Sequence, residues 1–292
     1  MSSSQSRPVF RFAPSTNGHL HLGHALSVLE NVHDAERFNG RLLLRIEDID
    51  RTRCTPQLEA AAIEDLSWLG IRFDSLPGRQ SDHFDDYSLA LDRLRAMGLV
   101  YPAFLTRGDV KKAVAAFETE GRIWPRDPDG APLYPDTDLR RCENERQQLL
   151  ANGKRHAWRL NMKAACEKAG QSLTWKEYGA DGIAEITAAP ADWGDIILSR
   201  SDAPSSYHLS VVVDDARQGI THVVRGKDLY HATSVHRLLQ VLLGLPEPVY
   251  RHHRLILADD GRKLSKSNGD TALRQLREAG KQPADIRSLC GF

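Results

Sequence analysis

The hydrophobic positions of the chain form two kinds of segment, short apolar runs and longer segments with helical spacing. Residues 9–12 predict a short strand, and residues 42–46 form a nearly continuous apolar run of the kind found in buried parallel strands. Between these runs, apolar side chains recur three and four residues apart, at Leu22, Ala25, Leu29 and Val32. The order of these segments predicts a strand, a helix and a second parallel strand.

The alternation continues on both sides of a different middle region. Helical spacing recurs before it, at residues 57–69 and 83–97, and residues 99–105 predict an extended segment. After Gly194, strand patterns return at residues 196–198, 207–213 and 222–224, followed by a helix at residues 229–243. This order predicts an α/β fold built on a doubly wound, Rossmann-like parallel sheet.

The middle region predicts an inserted α+β subdomain over residues 103–193. Residues 121–138 are rich in proline and aspartate and predict irregular structure. We therefore expect a disordered tail at 1–7, the two halves of the Rossmann-like domain at 8–102 and 194–292, and the insertion between them. Arginines and lysines crowd residues 140–159, where they form either a site for nucleic-acid phosphates or an ordinary solvated helix face.

Composition narrows the class of protein. The chain has 292 residues, and its 39 Lys and Arg balance its 39 Asp and Glu, which argues against coating nucleic acid by bulk charge. No apolar run is long enough to span a membrane, and the N-terminus lacks the apolar core of a secretion signal. The cysteines, at positions 54, 142, 166 and 290, lack the spacing of a zinc knuckle. We expect a cytoplasmic monomer with reduced thiols, and the sequence assigns no role to Cys142.

The first candidate chemistry lies where the first helix begins. His21 and His24 are three residues apart, so they share one face of the helix start, where backbone N–H groups favour an anion. Gly23 lies between them, and its missing side chain would let a flat base or a sugar approach the backbone. This pattern favours a nucleoside triphosphate site, and two ordinary surface histidines are the alternative.

A second candidate element lies about 240 residues downstream, at residues 263–269. It follows a predicted turn at 259–261 and carries small polar residues, which is typical of a mobile loop. Lys263 and Lys266 could stabilise the charge that develops on a pyrophosphate leaving group when such a loop closes. Alone, the segment is typical of a solvated loop, but the two elements together are more specific.

These two elements resemble the signatures of class I aminoacyl-tRNA synthetases. Residues 21–24 resemble the HIGH signature, and residues 263–267 resemble the KMSKS loop, with Leu264 in place of Met. Nucleotidylyltransferases share the first motif. Four further stretches resemble the glutamyl/glutaminyl branch of the synthetases, at residues 11–15, 43–48, 207–215 and 224–229. The resemblance spans roughly residues 8–270.

The resemblance implies ATP, accompanied by Mg²⁺, and assigns site residues by matching position. It implies catalytic roles for His21, His24, Lys263 and Lys266, with ATP bound by His21, Gly23, His24 and Lys266. It also implies a glutamate site at Arg11, Ala13, Ser15, Glu47, Tyr207 and Arg225. The residue types are suitable, since guanidinium groups bind carboxylates, a carboxylate binds an α-ammonium, and a phenol donates to a carboxylate. Surface ion pairs or a core tyrosine are the alternative interpretation.

Chain length selects within this branch. Only 25 residues follow Ser267 (292 − 267), too few for a separate anticodon-binding domain. We therefore expect no such domain. The chain resembles the shortened paralogue of the branch, which activates L-glutamate with ATP and esterifies it to the queuosine base of tRNA(Asp). The remaining alternatives are charging of the 3′ end of tRNA(Glu), a nucleotidylyltransferase without tRNA, and a non-catalytic binding paralogue.

One departure from the family pattern concerns zinc. Many members hold zinc in the insertion through three cysteines and a tyrosine. The corresponding positions here are Ala103, Leu105 and Asp138, and Tyr134 alone is kept. We therefore predict no zinc and no other protein-held metal.

Overall fold

The structure is a computed structural model that describes residues 7–170, 172–257 and 271–292. Lys263, Lys266 and the predicted turn at 259–261 lie outside the described residues, as do residues 1–6 of the predicted tail. Arg7, at the end of that tail, donates hydrogen bonds to the carbonyl oxygens of Asn39 and Gly40, each at 2.8 Å. None of the helices in the described ranges has the length and apolar character needed to cross a membrane.

Strands and helices alternate along both halves of the chain. The strands are β1 Val9–Phe12, β2 Arg41–Ile46, β3 Gly78–Arg79, β4 Val100–Ala103, β5 Ala157–Leu160, β6 Thr174–Gly179, β7 Gly182–Thr187, β8 Ile197–Arg200, β9 His222–Gly226 and β10 Val249–His253. The helices are α1 Leu22–Arg37, α2 Pro56–Trp68, α3 Phe84–Ala96, α4 Arg107–Glu118, α5 Glu143–Ala151, α6 Met162–Ala169, α7 Tyr207–Arg217, α8 Ala232–Leu243, α9 Leu273–Glu278 and α10 Pro283–Leu289.

The main sheet is parallel and doubly wound, as predicted. Strands β1, β2 and β3 pair in that order, and β9 pairs with β10. The two sets meet beside β1, where Thr221 N donates to Val9 O at 3.0 Å. The strand order therefore reverses between β1 and β9, which is where ligands bind in open α/β sheets. The inner strands are buried, as the apolar runs at 9–12 and 42–46 predict.

The prediction of a strand at residues 207–213 is wrong, because these residues form the first turns of α7. The run Val211–Val213 is β-branched and apolar, which is typical of a strand. A helix is favoured over a strand here because the hydroxyl of Ser206 accepts the backbone N–H of Leu209 and caps the start of the helix. The helix also places Asp214 and Asp215 in the interior, where they have partners described below.

The segment from 103 to 193 contributes to two sheets. Its strand β5 pairs antiparallel with β4 and β8, which flank the segment on either side. Its hairpin β6–β7 extends the main sheet, because β6 pairs with β10 through Glu177 and Tyr250. The hairpin thus brings the insertion against the strand that ends in the cavity described below.

Asp138 organises the irregular part of this segment. Its buried carboxylate accepts hydrogen bonds from the backbone N–H groups of Phe104 (2.6 Å) and Leu105 (3.1 Å), from the hydroxyl of Tyr134 and from Arg141 Nε (2.7 Å). Burial alone would raise the pKa of Asp138, but the bonds from Arg141 and Tyr134 lower it. A carboxylate therefore joins the segments that contain the positions compared with zinc ligands, and the absence of zinc stays a prediction.

We expect Asp138→Ala to destabilise the protein by about 3 kcal/mol, since it removes the acceptor of the buried Phe104 N–H, one of two acceptors of the Leu105 N–H and the buried partner of Arg141. Urea unfolding measures this change. Asp136→Ala is the matched control, because Asp136 pairs with Arg140 on the surface, where ion pairs contribute less than about 1 kcal/mol. Equal effects of the two substitutions would contradict the role given to Asp138.

Candidate active site

A cavity of about 1040 Å³ opens where the parallel strands end. The carboxyl ends of β1, β2, β9 and β10 supply Ala13, Glu47, Arg225 and His253 to its wall. The structure brings most of the sequence-predicted site residues to this wall, namely Arg11, Ala13, Ser15, His21, Gly23, His24, Glu47, Tyr207 and Arg225. Their placement agrees with the rule for open α/β sheets, and their roles remain to be tested.

The two histidines of the first motif cap α1 together. His21 is the N-cap residue, and its Nδ1 accepts the N–H of Gly23 at 3.1 Å. His24 Nδ1 accepts the N–H of His21 at 3.2 Å, and the ring centroids are 4.0 Å apart. Because both Nδ1 atoms accept, a neutral ring carries its proton on Nε2 and can donate there. The helix start therefore carries two imidazole donors where its dipole favours an anion.

Gly23 is needed for the packing of this cap. A Cβ atom at position 23 would lie 2.9 Å from Cε1 of His21, which is closer than such contacts occur. The glycine thus lets the His21 ring fold over the helix start. Whether it also lets a base or sugar approach the backbone, as the sequence suggested, stays a prediction.

A buried network of charges holds Arg11 in the cavity wall. Asp215 Oδ1 accepts from Arg11 Nε at 3.1 Å and from Arg45 Nη1 at 2.7 Å. The second nitrogen of the Arg45 fork, Nη2, donates to Glu47 at 3.3 Å. Burial alone would raise the pKa of Asp215, but the charges of Arg11 and Arg45 lower it. Asp215 is therefore ionised and already neutralises part of the charge on Arg11.

The network has a second, fully buried carboxylate. Asp214 Oδ2 accepts hydrogen bonds from Gln80 Nε2 and from the hydroxyl of Tyr87, each at 2.9 Å, and lies 3.8 Å from Arg45 Nε. Arg45, Asp214 and Asp215 lie in stretches that resemble the family, but the sequence alone assigns them no role. The signal that could have found them is the charge of Arg45 inside the apolar run at 42–46, because a buried charge needs a partner. The identity of the partner depends on the tertiary fold.

Glu47 lies between Arg45 and the cavity. Burial raises the pKa of its carboxyl group, and the nearby charges of Arg45 and Arg11 lower it less than burial raises it. A short parallel bridge to Ser15 and a bond from Glu47 N to Pro14 O (3.0 Å) fix its backbone. A cationic ligand in the cavity would therefore stabilise the ionised form of Glu47.

Arg225 differs from Arg11 in its partners. Its buried guanidinium donates to Thr233 Oγ1 at 2.7 Å, to ring nitrogens of His236 and His252 at 3.1 Å each, and more weakly to Leu229 O and Tyr207. No carboxylate of the described residues lies within ion-pair distance of it. A buried cation without a counter-ion is costly, so this wall of the cavity favours an anionic ligand.

The arginines of the basic stretch 140–159 are paired within the chain, which favours the solvated-face interpretation over a phosphate site. Each has an acceptor nearby. The pairs are Arg140 with Asp136, Arg141 with Asp138 and Glu145, Arg146 with Leu139 O, Arg155 with Asp202 and Arg159 with Asp195 O.

The sequence of the chain matches a known family over most of its length. A family model described as the catalytic domain of class I tRNA synthetases (E and Q) matches residues 9–291. The chain belongs to this class I synthetase family. The letters E and Q stand for glutamate and glutamine, in agreement with the branch that the sequence stretches resemble.

Two relatives differ in how much of their own length matches this chain. The chain is 44% identical over 290 residues to the glutamyl-Q tRNA(Asp) synthetase of Rhodobacter capsulatus, an alignment that covers 97% of this chain and 100% of that protein. It is 39% identical to glutamate–tRNA ligase 2 of a Methylobacterium species, but it spans 59% of that protein. Synthetases of the second kind therefore contain sequence that has no match in this chain.

Solved structures give the same family. The chain superposes on the glutamate–tRNA synthetase of Elizabethkingia anophelis with a TM-score of 0.73 and 27% identity, covering 90% of this chain and 53% of the other. A methionyl-tRNA synthetase from Mycobacterium tuberculosis shares the fold, with a TM-score of 0.56 and 13% identity. The predicted doubly wound α/β catalytic fold is confirmed.

Proposed function

We propose that this class I synthetase activates L-glutamate with ATP as glutamyl-adenylate and transfers it to the queuosine base of tRNA(Asp). The observation that carries the first half of this proposal is the buried guanidinium of Arg225, which faces the cavity with uncharged partners in the described part of the chain. It favours a substrate that brings a carboxylate.

The cavity matches glutamate in its other charges as well. Glu47 lines the same cavity and would gain from a nearby cation, which the α-ammonium group supplies. Tyr207 lies beside Arg225, and burial raises the pKa of its phenol, so it stays protonated and can donate to a carboxylate. Arg11 is partly neutralised by Asp215 and contributes a weaker attraction.

ATP would bind at the start of α1. The α-carboxylate oxygen of glutamate attacks the α-phosphorus, the bond to the bridging oxygen breaks, and pyrophosphate leaves. His21 and His24 offer imidazole donors to the phosphates, and Mg²⁺ enters with ATP. Lys263 and Lys266, by family resemblance, would stabilise the charge on pyrophosphate. No covalent enzyme nucleophile is needed, so catalysis consists of positioning and charge stabilisation.

The acceptor is proposed from relatives. In transfer, a hydroxyl of the queuosine diol attacks the carbonyl carbon of the adenylate, and AMP leaves. The Rhodobacter protein, whose name specifies this acceptor, aligns over its whole length, and a second protein of that name, from Symbiobacterium thermophilum, aligns over 83% of its length at 36% identity. The glutamate–tRNA ligases support the rival acceptor, the 3′ end of tRNA(Glu).

Isotope exchange between pyrophosphate and ATP tests the activation step. We expect exchange with glutamate to exceed exchange with glutamine by at least about 100-fold, because an amide does not neutralise a buried guanidinium. The assay is run with and without tRNA. Exchange that proceeds without an amino acid would support the nucleotidylyltransferase alternative, and no exchange under any condition would support a binding paralogue.

A further inference from the structure

Arg225 is held by a set of side chains that contact it from several directions. His252 Nε2 accepts from its Nε and His236 Nδ1 from its Nη1, both at 3.1 Å, while Thr233 accepts from its Nη2 at 2.7 Å. The two histidines come from different elements, α8 and β10. The guanidinium is therefore fixed in position and orientation from two sides.

The protonation of both histidines follows from this geometry. A guanidinium has donors and no acceptor, so each ring nitrogen that faces Arg225 must carry a lone pair. The other nitrogen of His252, Nδ1, lies 3.0 Å from each carboxylate oxygen of Glu177 and donates its proton there. The other nitrogen of His236, Nε2, lies 3.2 Å from His208 Nδ1 and donates to it. His252 is thus the Nδ1–H tautomer, and His236 and His208 are Nε2–H tautomers.

The surroundings keep these rings neutral. Burial lowers the pKa of His236 well below its ordinary value, and the charge of Arg225 lowers it further. Burial, followed by Arg225, lowers the pKa of His208 to about 4. Burial also lowers the pKa of His252, although its hydrogen bond to Glu177 opposes this shift. Near neutral pH, the partners of Arg225 in α8 and β10 add no charge.

We propose that His236 and His252 are positioning residues that set the preference for an acidic amino acid, because they orient Arg225 without neutralising it. This inference rests on the proposed function and extends it. A carboxylate at either position would bond Arg225 more strongly, but it would form an internal ion pair with which the carboxylate of the substrate must compete. Arg11, held by Asp215, is the counter-example within the same cavity.

Arg11 and Arg225 differ in the charges that surround them. Arg11 and Arg45 lie next to two buried carboxylates, Asp215 and Asp214, so the two positive charges of this network face two negative ones. Arg225 keeps its positive charge and lines the cavity directly. Glu177 lies on β6 of the inserted segment, so that segment helps to fix Arg225 through His252.

The matched pair His236→Asn and His236→Asp tests the proposal. The side-chain oxygen of either residue takes the place of Nδ1, and the two variants differ by one charge and little else in shape. Glutamate-dependent exchange gives KM for glutamate, KM for ATP and kcat. We expect KM for glutamate to be about 100-fold higher in His236→Asp than in His236→Asn, with a similar loss of preference over glutamine and little difference in KM for ATP. Equal KM values for glutamate in the two variants would overturn the proposal.

A second measurement does not depend on activity. Nitrogen-15 NMR of the unaltered protein labelled at histidine reports which ring nitrogen is protonated. We expect one Nδ1–H ring, assigned to His252 by its loss in His252→Gln, and an Nε2–H ring for His236. A charged ring at either position at pH 7 would overturn the proposal. If His236→Asp does not fold, Thr233→Asn and Thr233→Asp repeat the comparison on Nη2 of Arg225.

The outcomes separate this inference from the proposed function. If the unaltered protein shows no glutamate-dependent exchange, the proposed function fails, while the tautomers are still measured by NMR. If exchange is normal but the added charge at position 236 has no effect on KM for glutamate, the proposed function stands and the role of the histidines fails.

Discussion

Replacing Arg225 by glutamine is expected to raise KM for glutamate in ATP–pyrophosphate exchange by about 150-fold, equivalent to about 3 kcal/mol. The substitution removes the buried cation that lacks a carboxylate partner in the described structure, and it leaves a shorter, uncharged polar side chain. KM for ATP should change little, because the arginine lies on β9 and the proposed ATP site at the start of α1.

Two further variants serve as comparisons for the rise in KM of Arg225→Gln. Arg225→Lys keeps the charge but not the planar fork that contacts Thr233, His236 and His252, so an intermediate KM is expected. Arg237→Gln is the control for the loss of an arginine outside the cavity. Arg237 lies on α8, pairs with Glu247 and does not line the cavity. A KM for glutamate in Arg225→Gln close to that of the control would contradict the assignment of Arg225.

The Rossmann-like half of the fold follows from local pattern. Continuous apolar residues at 42–46 predict a buried parallel strand, and β2 occupies Arg41–Ile46. The helical spacing from Leu22 predicts α1, which spans Leu22–Arg37. Each of these elements buries a face that its own sequence specifies, so little tertiary information is needed to find it.

Two other elements could not be found in this way. The run Val211–Val213 predicts a strand, but the cap at Ser206 and the burial of Asp214 and Asp215 accompany a helix there. Strand β10 has the sequence Val-Tyr-Arg-His-His, which lacks an apolar run because its end supplies polar groups to the cavity. Functional side chains thus conceal the pattern by which a strand is recognised.

The sequence likewise predicts one part of the candidate site and misses another. The motif around His21 and His24 is local, so the sequence places it at the start of a helix. Arg45 and Asp215 are 170 residues apart, and their ion pair depends on the packing of α7 against the sheet. The neutral partners of Arg225 are likewise ordinary histidines until the fold brings them together. Spacing alone therefore finds the candidate anion site at the helix start, but not the partners that hold and charge-balance the arginines.

The second large effect concerns the acceptor. We expect glutamate to be transferred to queuosine-containing tRNA(Asp) even when the 3′-terminal adenosine has been removed, because the proposed ester bond forms on a base of the tRNA. A nucleoside in a loop can be splayed into a cavity, which is how proteins generally read RNA by sequence. The arginines at 140–159 have acceptors within the chain and the formal net charge is zero, so binding should depend moderately on salt.

The most direct measurement of the central claim is transfer of labelled glutamate to four tRNA(Asp) preparations, with and without queuosine and with and without the 3′-terminal adenosine. The proposed function predicts label on both queuosine-containing preparations and none on the two that lack queuosine. Label that requires the intact 3′ end, or that appears equally on queuosine-free tRNA, would contradict it.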